Sequence, residues 1–176
     1  LASRDHYDLR LEWNGTLLSW AVPKGPSYNP RDKRLAVRVE DHPLDYRTFE
    51  GTIPQGEYGG GTVMLWDEGW WEPLLDVERG LREGDLKFVL HGHRLKGAWV
   101  LVHMKPKKGE RDVNWLLIKE KDDYVRADAG IDGFDTSVRT GRTMDEIARG
   151  EDEAFAANPF DHVDVELAKL VSTAPP

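Results

Sequence analysis

The chain has no cysteine. Disulfide bridges and thiolate metal sites are therefore excluded, and the absence fits a reducing compartment. No apolar run is long enough to span a bilayer and no signal peptide is visible, so no membrane partner is expected. The first residue is not Met, which reads as a fragment of a larger protein. A basic excess is missing too, since the formal net charge is −8. Taken whole, that charge argues against a nucleic-acid partner. Its distribution removes the objection. Residues 1–121 hold 19 acidic and 19 basic side chains, whereas residues 122–176 hold 13 and 5 and carry the whole excess. The bulk charge describes a tail and says little about a binding face on the region before it.

What is present is alternation. At 176 residues the chain is one ordinary domain, or one domain with an appendage, and long enough to bury a core. Residues 6–13 alternate polar and apolar, the period-2 pattern of a half-buried strand. Asn14–Gly15 follows as a hairpin signal, and TLLSWAV (16–22) is the returning strand. KRLAVRVE (33–40), GTVMLW, DLKFVLHG, LKGAWVLVHM and NWLLIK add further short strands, each bounded by Gly, Pro, Asn or Asp. No long amphipathic helix separates them. The expected fold is mainly β, a compact closed or nearly closed barrel over residues 1–121. A short helical turn fits residues 74–85. Residues 122–176 form an acidic extension, mostly irregular. Within it, 122–142 reads as a linker, 143–150 as a short helix with capping-box spacing of Thr143 and Glu146, and 161–171 as a second helix.

The chemistry concentrates on the first strand. His6, Asp8, Arg10 and Glu12 share one parity, opposite Tyr7, Leu9, Leu11 and Trp13. Residues i and i+2 of a strand lie about 6.5 Å apart on one side. An imidazole and a carboxylate at that spacing suit a divalent cation such as Mn²⁺, Zn²⁺ or Fe²⁺. Arg10 then presents a forked donor to an anion beside it. Outer strand faces are commonly just solvated, but they more often mix in Thr, Ser or Gln than four ionisable groups in a row. A second stretch puts Arg34, Ala36, Arg38, Glu40 and His42 at one parity, opposite Leu35, Val37 and Val39. His42 suits a phosphate contact or a general acid; an exposed strand end is the plainer reading. Lys24, on a Pro-flanked loop, adds positive charge or is an ordinary surface lysine. Tyr46 is a phosphate donor or a core residue.

Other features read as structure. GEYGGG (56–61) lacks the Lys-Ser/Thr of a phosphate loop and is a tight turn. His91 and His93 flank Gly92 in a turn, and His103 is a hydrogen-bonded structural residue. Trp13, Trp20, Trp66 and Trp99 fit a core better than base stacking. KPKKGER (105–111) is a basic hairpin tip, solvated by default and otherwise a contact for a nucleic-acid backbone.

The blocks ASRDHYDLRLEWNGTLLSWAVPKGPS, KRLAVRVEDHPLDYRTFEGTIPQGEYGGGTV and WDEGWWE resemble the 3′-phosphoesterase domain of bacterial DNA ligase D, a family of nonhomologous end joining. SVRTGRTMDEIARG is similar to the connector that leads to the ligase domain in some members. The resemblance implies a β-barrel that removes a 3′-terminal ribonucleoside and then the remaining 3′-phosphate, leaving a 3′-OH. It implies a divalent metal, typically Mn²⁺, held by His6 and Asp8, and phosphate contacts from Arg10 and His42. Lys24, Arg34, Glu40 and Tyr46 match residues that support activity. The implied partners are DNA ends bearing a 3′-ribonucleotide or 3′-phosphate, the ligase and polymerase domains of a parent protein, and Ku. A monomer in the bacterial cytosol is expected.

One departure is specific. The family's metal site uses a further His six residues before the His of the HYD motif, a position one residue ahead of Leu1. Weak metal occupancy and reduced activity are expected of the chain as it stands. Two other readings remain open. A non-catalytic module holding DNA ends would not need the His6-Asp8-Arg10 row. A sugar- or lipid-binding barrel should have an apolar interior parity, and here one face is charged.

Overall fold

The structure, a computed structural model, describes residues 6–53 and 61–150. Strand β1 (Tyr7–Trp13) turns at Asn14 and Gly15 into β2 (Thr16–Val22). The two turn residues have φ of +52° and +80°, the left-handed pair that a type I′ hairpin demands and that Asn and Gly tolerate. β3 (Arg34–His42) leads through a 3-10 helix (Leu44–Thr48) into a two-stranded ribbon, β4 (Gly51–Ile53) and β5 (Gly61–Val63). β6 (Gly69–Pro73), helix α1 (Val77–Glu83), β7 (Asp85–Gly92), β8 (Lys96–His103) and β9 (Asn114–Lys119) follow. α1 is the helical turn expected at 74–85, capped by Asp76 and stopped by Gly84 in the left-handed region.

Seven strands form one antiparallel sheet in the order β1-β2-β3-β9-β8-β7-β6. Its two edges, β1 and β6, do not pair as a ladder. Instead the Trp71 indole N–H on β6 donates to the Glu12 carbonyl on β1 at 2.9 Å. The sheet is therefore a nearly closed barrel, as the sequence suggests. This side-chain bond spans the seam where a backbone ladder would close a full barrel. Its interior holds Leu9, Leu11, Trp20, Ala36, Trp71, Phe88, Trp99, Trp115 and Leu117. Trp20, Trp71 and Trp99 are fully buried, and truncating such a side chain costs about 3–5 kcal/mol.

The two faces of β3 are decided by packing rather than by hydropathy. Leu35 is 42% exposed while Ala36 lies in the core, so the Ala36 face turns inward and the Leu35, Val37, Val39 face turns out. The parity read for His42 needs a correction. Ser19 opposes Val39 and Leu17 opposes His42, so three steps of β3 match two of β2. This bulge moves His42 from the Ala36 face to the face shared by Val39 and Ser19. Strict period-2 counting cannot see an inserted residue.

Residues 122–150 are irregular but held to the barrel. Tyr28 N–H donates to Ala129 O (2.8 Å), Val138 N–H to Leu65 O (2.9 Å) and the Trp66 indole to Phe134 O (2.8 Å). α2 (Met144–Ala148) carries both bonds of the expected capping box and packs on the β4–β5 ribbon. The turn read at 56–61, apart from Gly61, and the helix read at 161–171 lie outside the described residues.

Candidate functional site

β1 presents its polar parity to solvent because the opposite parity fills the barrel. That row begins at His6. His6 Nε2 lies 3.2 Å from Asp8 Oδ1, and Arg10 Nη2 lies 3.3 Å from Asp8 Oδ2. One carboxylate is thus bracketed by an imidazole and a guanidinium. Burial opposes the Asp8 charge, but the His6 hydrogen bond and the positive charges of Arg10, His6 and His42 outweigh it. The carboxyl titrates below its ordinary range. His6 and Asp8 supply an imidazole nitrogen and a carboxylate oxygen that meet at a partly exposed point, a donor pair suited to a divalent cation. Among the described residues no third His, Asp or Glu completes a ligand set.

Across the ladder Arg10 faces Ser19. The Ser19 hydroxyl donates to the Leu17 carbonyl at 2.9 Å, and its oxygen sits 2.9 Å from His42 Nδ1. With the hydroxyl proton committed to Leu17, Ser19 Oγ accepts from His42 Nδ1–H, and Nε2 carries the lone pair of the neutral ring. Burial, then the nearby Arg10 charge, lowers the His42 pKa, while Asp8, Glu40 and Asp41 pull the other way. Tyr46, on the 3-10 helix, sets its ring 5.4 Å from the His42 ring at 45°. The bulge makes this assembly possible, because it carries His42 onto the Arg10 face.

The fold thus gathers His6, Asp8, Arg10, His42 and Tyr46, and Glu40 acts on His42 through its charge. Among the described residues Lys24 and Arg34 form no ion pair with this group. Lys24 is exposed just after β2, at the end of the sheet where β1 begins. Arg34 lies on the Ala36 face, with Nη2 3.9 Å from Asp32 Oδ2. Sequence reasoning missed Ser19. The available signal was a hydroxyl set among apolar residues in the middle of the strand TLLSWAV, where it is 1% exposed and must find partners.

The remaining histidines with side-chain partners in the structure are held by them. His91 stacks on Trp70 at 3.8 Å with Nε2 3.3 Å from Glu72, and His103 Nε2 lies 2.7 Å from Asp112 while its ring stacks on Trp115.

The chain is similar to known proteins. A family model described as the DNA Ligase D 3′-phosphoesterase domain matches residues 1–103. The multifunctional non-homologous end joining protein LigD of Pseudomonas aeruginosa is 50% identical over 167 residues, which is 90% of this chain and 19% of that protein. The LigD proteins of Mycobacterium tuberculosis and Mycolicibacterium smegmatis are 43% and 42% identical over 127 residues, about 70% of this chain and 16% of each relative. The chain therefore spans a fifth or less of the relatives it matches.

Proposed function

The chain belongs to the DNA ligase D 3′-phosphoesterase family, and from that membership we propose that it is a metal-dependent hydrolase of DNA 3′ ends. It removes a 3′-terminal ribonucleoside and a 3′-phosphate, leaving the 3′-OH that a ligase needs in nonhomologous end joining. The observation that carries this reading is the bracketed Asp8 carboxylate, with His42 held on the same face by Ser19. A passive backbone binder would be expected to carry a net basic excess, and residues 1–121 taken together have none.

His6 and Asp8 would hold the cation, Mn²⁺ by family resemblance. When bound, it supplies a Lewis acid beside a phosphoryl oxygen. Asp8, ionised through its two basic neighbours, keeps its donor oxygens available at neutral pH. Arg10 directs guanidinium N–H groups at the charge that grows on the phosphoryl oxygens. His42 in its neutral form offers a lone pair at Nε2. An arriving phosphate dianion favours the imidazolium, whose Nε2–H then donates to the phosphate or to the leaving 3′ oxygen. In the diester step water forms the new P–O bond and the P–O5′ bond to the ribonucleoside breaks; in the monoester step water again attacks phosphorus and the P–O3′ bond breaks; in each the leaving oxygen takes a proton. The polymerase and ligase domains of a parent protein, and Ku, are the proposed partners, with the cytosol as the compartment. No helix among the described residues is long and apolar enough to cross a membrane.

The test is release of inorganic phosphate from a duplex with a recessed 3′-phosphate, with and without Mn²⁺. A chelator should abolish turnover and added Mn²⁺ restore it. His6→Ala, Asp8→Ala and His42→Ala should each abolish release. Activity retained in all three sinks the assignment. Unaltered DNA binding with no release by the parent chain supports a module that only holds ends.

A further inference from the structure

The β8–β9 loop is unlike the rest of the barrel in its charge. Residues 105–111 contain Lys105, Lys107, Lys108 and Arg111 against one acid, Glu110, inside a region, 1–121, whose charges cancel in total. All seven residues are exposed. Glu110 Oε1 accepts the Lys107 N–H at 2.9 Å, and Asp112 takes His103 at 2.7 Å. Asp41, on the neighbouring strand, takes Arg38 at 3.4 Å. Among the described residues none of the four cations forms an ion pair. A solvated loop needs no such concentration, and holding four like charges together is electrostatically unfavourable unless a polyanion meets them.

The register says where the loop points. Val37 opposes Asn114, and Arg38 N–H donates to Val113 O at 2.7 Å. Before Val113 the chain therefore runs beside the second half of β3, toward His42. Its backbone is fixed by the Glu110 N–H to Lys107 O bond at 2.9 Å and the Met104 N–H to Asn114 O bond at 2.9 Å. From Arg38 to His42 along β3 is about 13 Å of extended chain. Along a duplex that distance covers about four base pairs. The loop thus stands at the same end of the sheet as His42, a few nucleotides from a 3′ end placed against it.

We propose that the 105–111 loop is a clamp for the sugar-phosphate backbone of the duplex whose 3′ terminus enters the site. This rests on the phosphoesterase reading for the identity of the polyanion. The loop supplies affinity and registers the duplex, and it takes no part in the bond that breaks.

The test uses the full chain and a fluorescent duplex with a recessed 3′-phosphate, bound in chelator so that no turnover intrudes. Affinity is measured across a salt series for the parent chain and for the quadruple variant Lys105→Gln, Lys107→Gln, Lys108→Gln, Arg111→Gln. The slope of log affinity against log salt should fall by about 0.9 for each phosphate that the variant leaves unneutralised, up to about 3.6 for four. With Mn²⁺ restored, KM should rise while turnover at saturating DNA stays at the parent value. A Lys→Arg triple variant should keep the parent slope, and the single reversal Lys108→Glu should lower it by about 1. These two variants keep the test sound if the quadruple change disturbs folding, which thermal unfolding reports. An unchanged slope in the quadruple variant and in Lys108→Glu overturns the clamp. That is also the result expected if the loop serves an acidic protein instead. A parent chain that never releases phosphate refutes the phosphoesterase reading alone, because the slope still judges the loop.

Discussion

Two groups of charged side chains lie on opposite sides of one question: what a buried or half-buried charge is for. On β1, Asp8 is shared between His6 and Arg10 in a partly exposed row, and His42 has one ring nitrogen engaged. Between the barrel and the 122–150 segment, Glu50 is wholly enclosed. It accepts from Leu65 N–H (2.8 Å), the Thr140 hydroxyl (2.7 Å) and Arg142 Nη2 (2.9 Å). Glu68 takes Arg139 Nε at 3.0 and 3.2 Å, with both side chains at most 3% exposed. In the second group bonding capacity is consumed inside the protein. In the first, capacity is left over at the surface. Perturbed and paired charges alone do not mark a functional site; unspent bonding capacity facing solvent does.

The largest effect should come from breaking the enclosed group. Arg142→Ala strips Glu50 of its counter-ion and should cost about 3–5 kcal/mol of stability, read by urea unfolding. Replacing both partners, Glu50→Leu with Arg142→Met, should cost less than either single change, because no uncompensated charge stays buried. If both single changes prove neutral, the contrast between the two groups collapses.

In the exposed row the ordering of effects reverses. Arg10→Ala should lower turnover by about 10²–10³-fold through loss of a donor to the developing charge. Its effect on stability should stay within about 1 kcal/mol, since the Asp8 pair is partly solvated. Parallel unfolding and phosphate-release measurements on this variant and on Arg142→Ala separate the two behaviours directly. Ser19→Ala comes next. It removes the acceptor for His42 Nδ1–H, so turnover should fall about tenfold, the worth of one partly buried hydrogen bond, with KM little changed. Nitrogen NMR of His42 should show the fixed tautomer lost.

How these groups could be foreseen differs for physical reasons. The row on β1 was legible because a strand's period is 2 and the Asn-Gly turn pins its register. The capping box of α2 was legible because its partners are three residues apart. The place of His42 in the family pattern was legible, but its face was not, since a bulge is decided by the pairing of β2 with β3 and leaves no mark on alternation. Glu50 and Arg142 are separated by 92 positions, so nothing local announces their bond. Composition likewise read 122–142 as a linker, because Gly and Asp suit both free chain and irregular chain tied down by distant partners.

The finest distinction between the two groups is in how they respond to protons. The folded His42 pKa lies below its ordinary 6.5, so the unfolded chain binds more protons near that pH. The resulting stability is full above about pH 6.5 and is lost as pH falls through the folded pKa. Asp8 is the opposite type of group with the same dependence, its contribution present above about pH 4 and lost below it. His42→Gln should flatten the first of these limbs and leave the second, as a pH series of unfolding midpoints would show. The ligand turns this into a test of the site. A phosphate dianion raises the His42 pKa back, so inorganic phosphate binding near neutral pH should carry proton uptake. Calorimetry in buffers of different ionisation enthalpy reads that uptake. His42→Gln should abolish it and Arg142→Met should leave it, because only the exposed row has a titratable nitrogen left to offer the phosphate. Equal uptake by the parent chain and His42→Gln would remove His42 from the phosphate's reach.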